Sequence, residues 1–266
     1  MKSSSIKVSI QSNSFSPDVL ESMWSVYHPH YHYSHEEFLA RIPKNNYYSL
    51  YYRAEKLVGF TGLRIEKVNQ DGKKFFTVYF GQTVIDPSVR SKGLIPRTGI
   101  QLCRMFWKEF LTNQVYFWAD ALTYKAYLVF AKTLEEYYPC RRRIIPLEVR
   151  ELRNYLGNKY YGQRYCSNSG TVTKDSYLIS DQNIRFTPSR SLDPDVSYFQ
   201  KANPMHESGA GLITIAPIHM SNIWMIIQKV VQKIGWFNKF RRINRPFKYR
   251  RLAWTRYLNS SIRNAG

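Results

Sequence analysis

The residues best placed to do chemistry lie where an apolar run ends in a basic turn. Residues 75–85 are β-branched and aromatic, which predicts a central strand. Pro87 ends this strand because proline lacks a backbone N–H. A basic turn follows at residues 90–93, and Pro96 then opens a run of helical period. Because the first N–H groups of a helix have no intrahelical partner and lie at the positive end of its dipole, the stretch predicts a site for a phosphate group.

The same stretch resembles motif A of the GNAT superfamily of N-acetyltransferases. In that motif a strand runs into an Arg/Gln-x-x-Gly-x-Gly/Ala turn, which holds the pyrophosphate of an acyl-coenzyme A. Here Ile95 stands at the position of the family's small residue, and Pro96 follows it. This departure removes a backbone hydrogen-bond donor and narrows the approach to the phosphates. It bears on the identity of the acyl donor more than on the fold.

A second resemblance lies downstream, after another predicted strand at residues 115–119. Residues 123–132 read TYKAYLVFAK and are similar to the family's motif B, N-x-x-A-x-x-L-Y-x-K. The two motifs occur in the family's order and are joined by one helix of suitable length. The resemblance implies an α+β fold, with a mixed, mainly antiparallel sheet flanked by helices, and an acyltransferase activity.

The resemblance also implies the donor site. A pantetheine thioester, carried by coenzyme A or by an acyl carrier protein, would lie along the backbone of Thr83, Val84 and Ile85. Thr123 stands where the family often has an asparagine that contacts the pantetheine arm. The phosphates would lie at the turn formed by Arg90, Ser91, Lys92, Gly93, Leu94 and Ile95. We expect no metal.

The proton-transfer groups are less clear from the motifs. Motif B commonly supplies a tyrosine as general acid, and the matching residue here is Phe130, which cannot donate. Tyr124 or Tyr127 could act from one turn earlier, although Tyr127 is as well suited to the core. The strand positions that often hold a basic glutamate offer no carboxylate. The candidate bases are therefore His30, His32, His35, Glu37 and His206.

Four histidines lie close together at positions 28, 30, 32 and 35. Their spacing in an irregular segment matches no zinc-site pattern, and no cysteine is near. The segment therefore favours a tyrosine- and histidine-rich loop between two helices over a metal site. Ser34 and Glu37 have the spacing of a capping box, which predicts a helix at residues 36–42.

Composition narrows the class of partner. The chain has 266 residues, a net charge of +20 and 44% apolar residues, which is ample for a core. The charge indicates an anionic partner, such as coenzyme A phosphates, an acidic carrier protein, nucleic acid or an anionic membrane. Three widely spaced cysteines suggest a reducing cytoplasm, and no signal peptide or membrane span is expected. Motifs of kinases, serine hydrolases and zinc enzymes are absent.

The chain divides into three regions. Residues 1–138 carry the predicted donor-binding core, and residues 139–220 are expected to continue the fold with a helix and a late strand at residues 212–218. The basic run at residues 141–143 could be a solvated charge cluster or a contact for the ligand's phosphates. Residues 221–266 form a basic amphipathic tail with eleven Lys and Arg and no Asp or Glu.

Three interpretations of the tail stay open. Its helix could dock an apolar face on the domain with its lysines in water. It could instead lie on an anionic membrane surface, which would make the protein peripheral. Nucleic-acid binding is the third interpretation, although no known binding-module motif is present.

Together these observations predict an N-acyltransferase that moves an acyl group from a pantetheine thioester to an amine. The aromatic richness, Ile95 and the basic tail favour a long-chain fatty-acyl donor. The expected acceptor is a Lys- or ornithine-type side chain of a peptide. The alternative is a catalytically silent module of the same fold that binds anionic membrane or nucleic acid through its tail.

Overall fold

The computed structural model describes residues 5–70, 72–174 and 192–234, which form a single eight-stranded sheet with helices on both faces. The strands are β1 (Ile6–Ser12), β2 (Tyr47–Arg53), β3 (Lys56–Gln70), β4 (Lys73–Ile85), β5 (Gln114–Ala121), β6 (Tyr165–Cys166), β7 (Thr171–Val172) and β8 (Gly211–Pro217). The helices are α1 (Pro17–Tyr27), α2 (His35–Leu39), α3 (Leu94–Met105), α4 (Trp107–Thr112), α5 (Tyr124–Thr133), α6 (Leu147–Tyr161), α7 (Pro194–Ala202) and α8 (Met220–Ile234). The predicted fold class is confirmed.

The strand order is β1-β2-β3-β4-β5-β8-β7-β6. All neighbouring pairs are antiparallel except β4 and β5, which are parallel and are joined by the crossover through α3 and α4. The predicted late strand is observed as β8, which pairs with β5. Segments far apart in the chain therefore meet in the middle of one sheet.

The parallel pairing of β4 with β5 is short. It begins where Phe75 lies opposite Gln114 and ends where Tyr79 lies opposite Trp118. Beyond that point β4 remains paired with β3 and β5 remains paired with β8. The two central strands therefore part, and we call the opening between them the split.

A β-bulge in β4 lies at the split. Gln82 and Thr83 together oppose the single residue Thr61 of β3, and Gln82 has a φ of +44°. A bulge bends its strand and increases the local twist. The bulge therefore turns the end of β4 away from β5.

The two faces of the sheet carry different helices. Helices α3, α5, α7 and α8 pack on one face through a core that includes Phe76, Phe117 and Phe199. Helix α6 packs on the opposite face against Trp118 and its neighbours. Helices α1 and α2 share that face, because Tyr48 packs under them while the next residue of β2, Ser49, bonds Thr98 of α3. The split is thus bordered by α3 and α5 on one face and by α1, α2 and α6 on the other.

Helix α8 docks on the α3 face of the sheet. Ile226 and Val230 are buried, and Ile226 packs beside Gly99 of α3. Asn222 accepts hydrogen bonds from the backbone N–H groups of Glu135 and Glu136 at 2.8 and 3.0 Å. The predicted basic segment beyond residue 234 lies outside the described residues.

Two helix boundaries differ from their predictions. The helix predicted at residues 36–42 is capped by Ser34 and Glu37 as expected, but it ends at Leu39. Pro43 lacks the N–H that would bond the carbonyl of Leu39 in a continued α-helix, and the chain instead forms a separate 3-10 turn at Ile42–Lys44. Helix α3 begins at Leu94 rather than at Pro96, since Gly93 supplies the left-handed N-cap (φ +68°). Proline is tolerated in the first turn, where its missing N–H has no intrahelical partner.

No helix in the described ranges combines the length and apolar content needed to cross a bilayer.

The packing of Tyr79 over Gly81 generates the first testable prediction. A Cβ at Gly81 would overlap the Tyr79 ring, which is held in place by a hydrogen bond to Asp120. Gly81→Ala should therefore lower the free energy of unfolding by about 1–3 kcal/mol. Urea denaturation of the purified variant measures this change.

Gly99→Ala is the matched control. A Cβ at Gly99 would lie 3.4 Å from the Phe117 ring, an ordinary contact, and alanine is favoured over glycine inside a helix. This variant should be neutral or more stable by up to about 1 kcal/mol. Equal stability of the two variants would contradict the assigned position of the Tyr79 ring.

Candidate active site

A groove of about 1220 Å³ follows the split between β4 and β5. On the α3 face it is lined by the end of β4, the turn before α3, the first turns of α5 and Lys229 of α8. On the other face it is lined by the loop after α1, by Arg41 and Arg64, and by the end of α6. We call these two parts the donor half and the acceptor half.

The donor half contains the predicted phosphate-binding turn. Ser91 and Gly93 both have positive φ, at 64° and 68°, so the turn winds tightly before α3. No side chain caps the start of α3, and Arg90 donates from Nε to the carbonyl of Ile85 at 3.0 Å. Backbone N–H groups in such a turn and at a helix start form a concave site for anions.

Further positive charge surrounds this turn. The cations that line the donor half are Arg90, Lys92, Lys125 and Lys229. Lys229 comes from α8, far along the chain, and the sequence patterns did not assign it to the donor site. The arrangement suits a ligand with several phosphates.

The predicted strand residues Thr83, Val84 and Ile85 all line the groove. In this part of β4 the backbone pairs with β3 only, because the parallel pairing with β5 ends at Tyr79. One edge of β4 therefore faces the groove, and an extended ligand with amide groups could pair with it as a strand would.

Motif B contributes some residues to the groove and others to the core. Thr123 caps α5 by accepting a hydrogen bond from the N–H of Ala126 at 3.3 Å, and Tyr124 is buried where it lines the groove. Tyr127 is in the core and donates its hydroxyl to the carbonyl of Pro139 at 3.1 Å. Phe130 belongs to the same core. Of the two tyrosines, only Tyr124 lines the groove.

The predicted bases are dispersed. His30 lines the groove, whereas His32 is exposed and does not line it. Nε2 of His35 lies 3.1 Å from a carboxylate oxygen of Glu21, and Glu37 is used in the capping box. Nδ1 of His206 donates to the carbonyl of Asn203 at 2.8 Å, away from the groove.

A buried carboxylate in the acceptor half was not foreseen from the sequence. Asp120 is 7% exposed at the end of β5, and Tyr79 donates a hydrogen bond to its Oδ1 at 2.7 Å. Tyr161 donates to Oδ2, which also forms an ion pair with Lys174. Among the described residues that line the groove, Asp120 is the only acid. The available signal was an Asp within the apolar run of β5.

The two tyrosines that bind Asp120 have raised pKa values. Burial is the main cause of the raised pKa values of Tyr79 and Tyr161, and the negative charge of Asp120 adds to it. Both hydroxyls therefore remain protonated at neutral pH and act as donors to the carboxylate.

The remaining wall of the acceptor half is aromatic. Tyr31 stacks on Tyr27 with ring centroids 4.4 Å apart, and the Arg41 guanidinium lies 3.8 Å from the centre of the Tyr33 ring. The pKa of Tyr31 is raised to about 12, mainly by burial and also by the charges of Tyr33 and Asp120, while Arg41 acts to lower it. Arg41 and Asp120 thus both act on the hydroxyl of Tyr31 across the groove.

A metal site is not formed by the residues described. No group of three or more His, Cys, Asp or Glu side chains in these ranges is arranged to hold a metal ion.

Comparison with known proteins gives similarity to solved structures only. No family model matches the sequence, and no curated protein matches it. Similar solved structures include an acetyltransferase from Trypanosoma brucei, with 18% identity over 54% of this chain and 99% of that one (TM-score 0.35). An aminoglycoside acetyltransferase from an uncultured soil metagenomic sample has 16% identity over 53% of this chain and 93% of that one (TM-score 0.36).

An acyl-CoA N-acyltransferase from Pseudomonas aeruginosa has 16% identity over 44% of this chain and 80% of that one (TM-score 0.32). In this chain itself, motif A forms a strand, a turn and a helix N-terminus, and motif B forms a capped helix after the next parallel strand. The two motifs therefore form the strand, turn and helix predicted for them, and the resemblance to the GNAT superfamily stays a prediction.

Proposed function

We propose that the chain is an N-acyltransferase that moves an acyl group from the thioester of coenzyme A to an amine. The observation that carries this proposal is the groove at the split, which joins an anion-binding turn to a separate acceptor half through an unpaired strand edge. A thioester bound along that edge would have its phosphates at one end and its acyl group between the strands.

The donor half supports the coenzyme A part of the proposal. The edge of β4 at residues 83–85 can pair with the amides of the pantetheine arm. The turn at residues 90–93 and the start of α3 can hold the pyrophosphate. Lys125 and Lys229 add charge for the remaining phosphate.

The reaction requires a balanced proton transfer. The amine nitrogen attacks the thioester carbonyl carbon, the C–S bond breaks, and the thiolate leaves with the electron pair. A backbone N–H at the bulge of β4 would stabilise the negative charge that develops on the carbonyl oxygen. The amine loses one proton, and the thiolate gains one.

The groove offers a residue for each proton. Tyr124 lines the donor half beside the β4 edge, and we assign it as the acid that protonates the thiolate. His30 lines the groove and is assigned as the base that accepts the amine's proton. Asp120 is less suited to this role because its carboxylate is already bound by two tyrosines and a lysine.

The proposal extends to the acyl group and the acceptor. A long-chain fatty-acyl group is supported by the aromatic lining at the split, which includes Tyr27, Tyr31 and Phe80. Each buried methylene would contribute about 0.8 kcal/mol to binding. An acyl carrier protein could present the same thioester to this basic surface, and a Lys- or ornithine-type amine of a peptide remains the expected acceptor.

Thermal denaturation with coenzyme A thioesters tests the donor. Thioesters from C2 to C16 should stabilise the chain, and the shift should increase with chain length because more apolar surface is buried. Lys229→Met should reduce the shift for every thioester, since it removes a charge near the phosphates. Lys201→Met, on an exposed residue of α7 away from the groove, is the control and should leave the shift unchanged.

The outcomes separate the alternatives. A shift that does not grow with chain length would restrict the donor to short acyl groups. The absence of a shift with any thioester, carrier-bound thioesters included, would contradict the enzyme assignment. Binding to anionic vesicles or RNA without thioester affinity would then favour the silent module that binds through its tail.

A pair of tyrosine variants tests the assigned acid. Tyr124→Phe should lower kcat by about 100-fold with little change in donor KM, because it removes the proton donor to the thiolate. Tyr127→Phe should lower stability by about 1 kcal/mol and leave kcat unchanged, because its hydroxyl bonds a core carbonyl. Steady-state assays of thiol release measure both, and an unchanged kcat for Tyr124→Phe would remove this residue from the mechanism.

A further inference from the structure

Charge is unevenly distributed in the acceptor half of the groove. The cations that line this half are Arg41, Lys44, Arg64, Arg164 and Lys174, whereas Asp120 is the only acid among the described lining residues. These cations lie on the α1, α2 and α6 face, across the sheet from the phosphate-binding turn. Coenzyme A phosphates bound at that turn therefore do not account for them.

Arg64 is packed against two tyrosine rings. Its guanidinium lies 3.9 Å from the centre of the Tyr160 ring and 4.8 Å from that of Tyr79. Its Nε donates to the carbonyl of Lys44 at 3.0 Å, while its Nη1 is buried and has no hydrogen-bond partner among the described residues. A buried guanidinium N–H without an acceptor carries a desolvation cost that a bound anion would offset.

Arg41 also lines this half of the groove, and its guanidinium is stacked on Tyr33. Within the described ranges, neither Arg41 nor Arg64 forms an ion pair with a carboxylate. Asp120, the one acid among the described residues that line this half, is engaged by Lys174. Two planar cations thus face the same groove without a counterion from the described part of the chain.

We propose that the acceptor amine carries an anionic group, a carboxylate or a phosphate, which Arg41 and Arg64 bind. This inference rests on the proposed acyl transfer. The guanidinium group matches the geometry of carboxylate and phosphate oxygens and can bind them through two parallel hydrogen bonds. An amine held in this way would point toward the split, where the thioester lies.

The proposal restricts the acceptors that fit. A peptide amine meets it when a terminal carboxylate or an acidic side chain lies nearby. A polycationic amine does not, because it would meet five like charges in this half of the groove. Selectivity would thus come from both attraction and repulsion.

Matched acceptor pairs test the inference on the full chain. Nα-acetyl-lysine is compared with its C-terminal amide, which lacks the carboxylate, and O-phosphoethanolamine is compared with ethanolamine. Both comparisons use the thioester that gives the largest thermal shift. The anionic member of at least one pair should have a kcat/KM about tenfold or more above that of its partner. Preference confined to the first pair would identify a carboxylate, and preference confined to the second a phosphate.

Variants assign the effect to the two arginines. Arg41→Gln and Arg64→Gln should raise KM for the anionic acceptor and bring the ratio within each pair close to one. Their stabilisation by the thioester should stay at the wild-type value. Arg104→Gln, on an exposed residue of α3 outside the groove, should leave the ratio unchanged.

The results distinguish failure of this inference from failure of the proposed function. Thioester turnover with no preference for either anionic acceptor would overturn the inference and leave the acyltransferase assignment standing. If no amine is acylated, the anion site is tested by the thermal shift that O-phosphoethanolamine causes relative to ethanolamine. A shift lost in Arg41→Gln and Arg64→Gln would support the anion site, and no shift would overturn it.

Discussion

The structure depends on one limit to strand pairing: β4 and β5 pair only as far as Tyr79 and Trp118. A longer parallel ladder would close the sheet and remove the groove. The bulge at Gln82 bends β4, and β8 holds β5 on its far side, so the strands part without leaving the end of β5 unpaired. The donor and acceptor halves are consequences of this opening.

Buried polar groups hold the walls of the opening in place. Asp120 connects β5 to β4 through Tyr79 and to α6 through Tyr161, so one carboxylate joins the strands and the helix of the acceptor half. Gly81 is required for this arrangement because only glycine leaves room for the Tyr79 ring. Helix α8 completes the donor half by placing Lys229 beside it. These contacts join elements that are far apart in the chain.

Much of the fold could be predicted from the sequence because its signals are local. The β-branched and aromatic run at residues 75–85 indicated β4, and the capping box of Ser34 and Glu37 marked the start of α2. The donor turn was also local, since it follows one strand and precedes one helix. The late strand β8 could be predicted as a strand, whereas its place beside β5 could not.

The acceptor half could not be predicted because its residues are joined only by tertiary packing. Arg41 lies in the turn after α2, Arg64 in β3 and Asp120 in β5, and none belongs to a motif. Tyr124 and Tyr127 were both candidates by sequence, with Tyr127 as well suited to the core, and packing shows that Tyr127 lies in the core. Lys229 was part of a basic pattern that did not indicate which surface it would line.

Hydrogen exchange of the full chain with and without a coenzyme A thioester tests the central claim most directly. Slower exchange of the amides at residues 80–97 and 123–126 is predicted, because the ligand would pair with the β4 edge and cover the turn and the start of α5. Residues 6–12, in the edge strand β1, should exchange at an unchanged rate. Unchanged exchange at residues 80–97 under saturating thioester would contradict a donor site at the split.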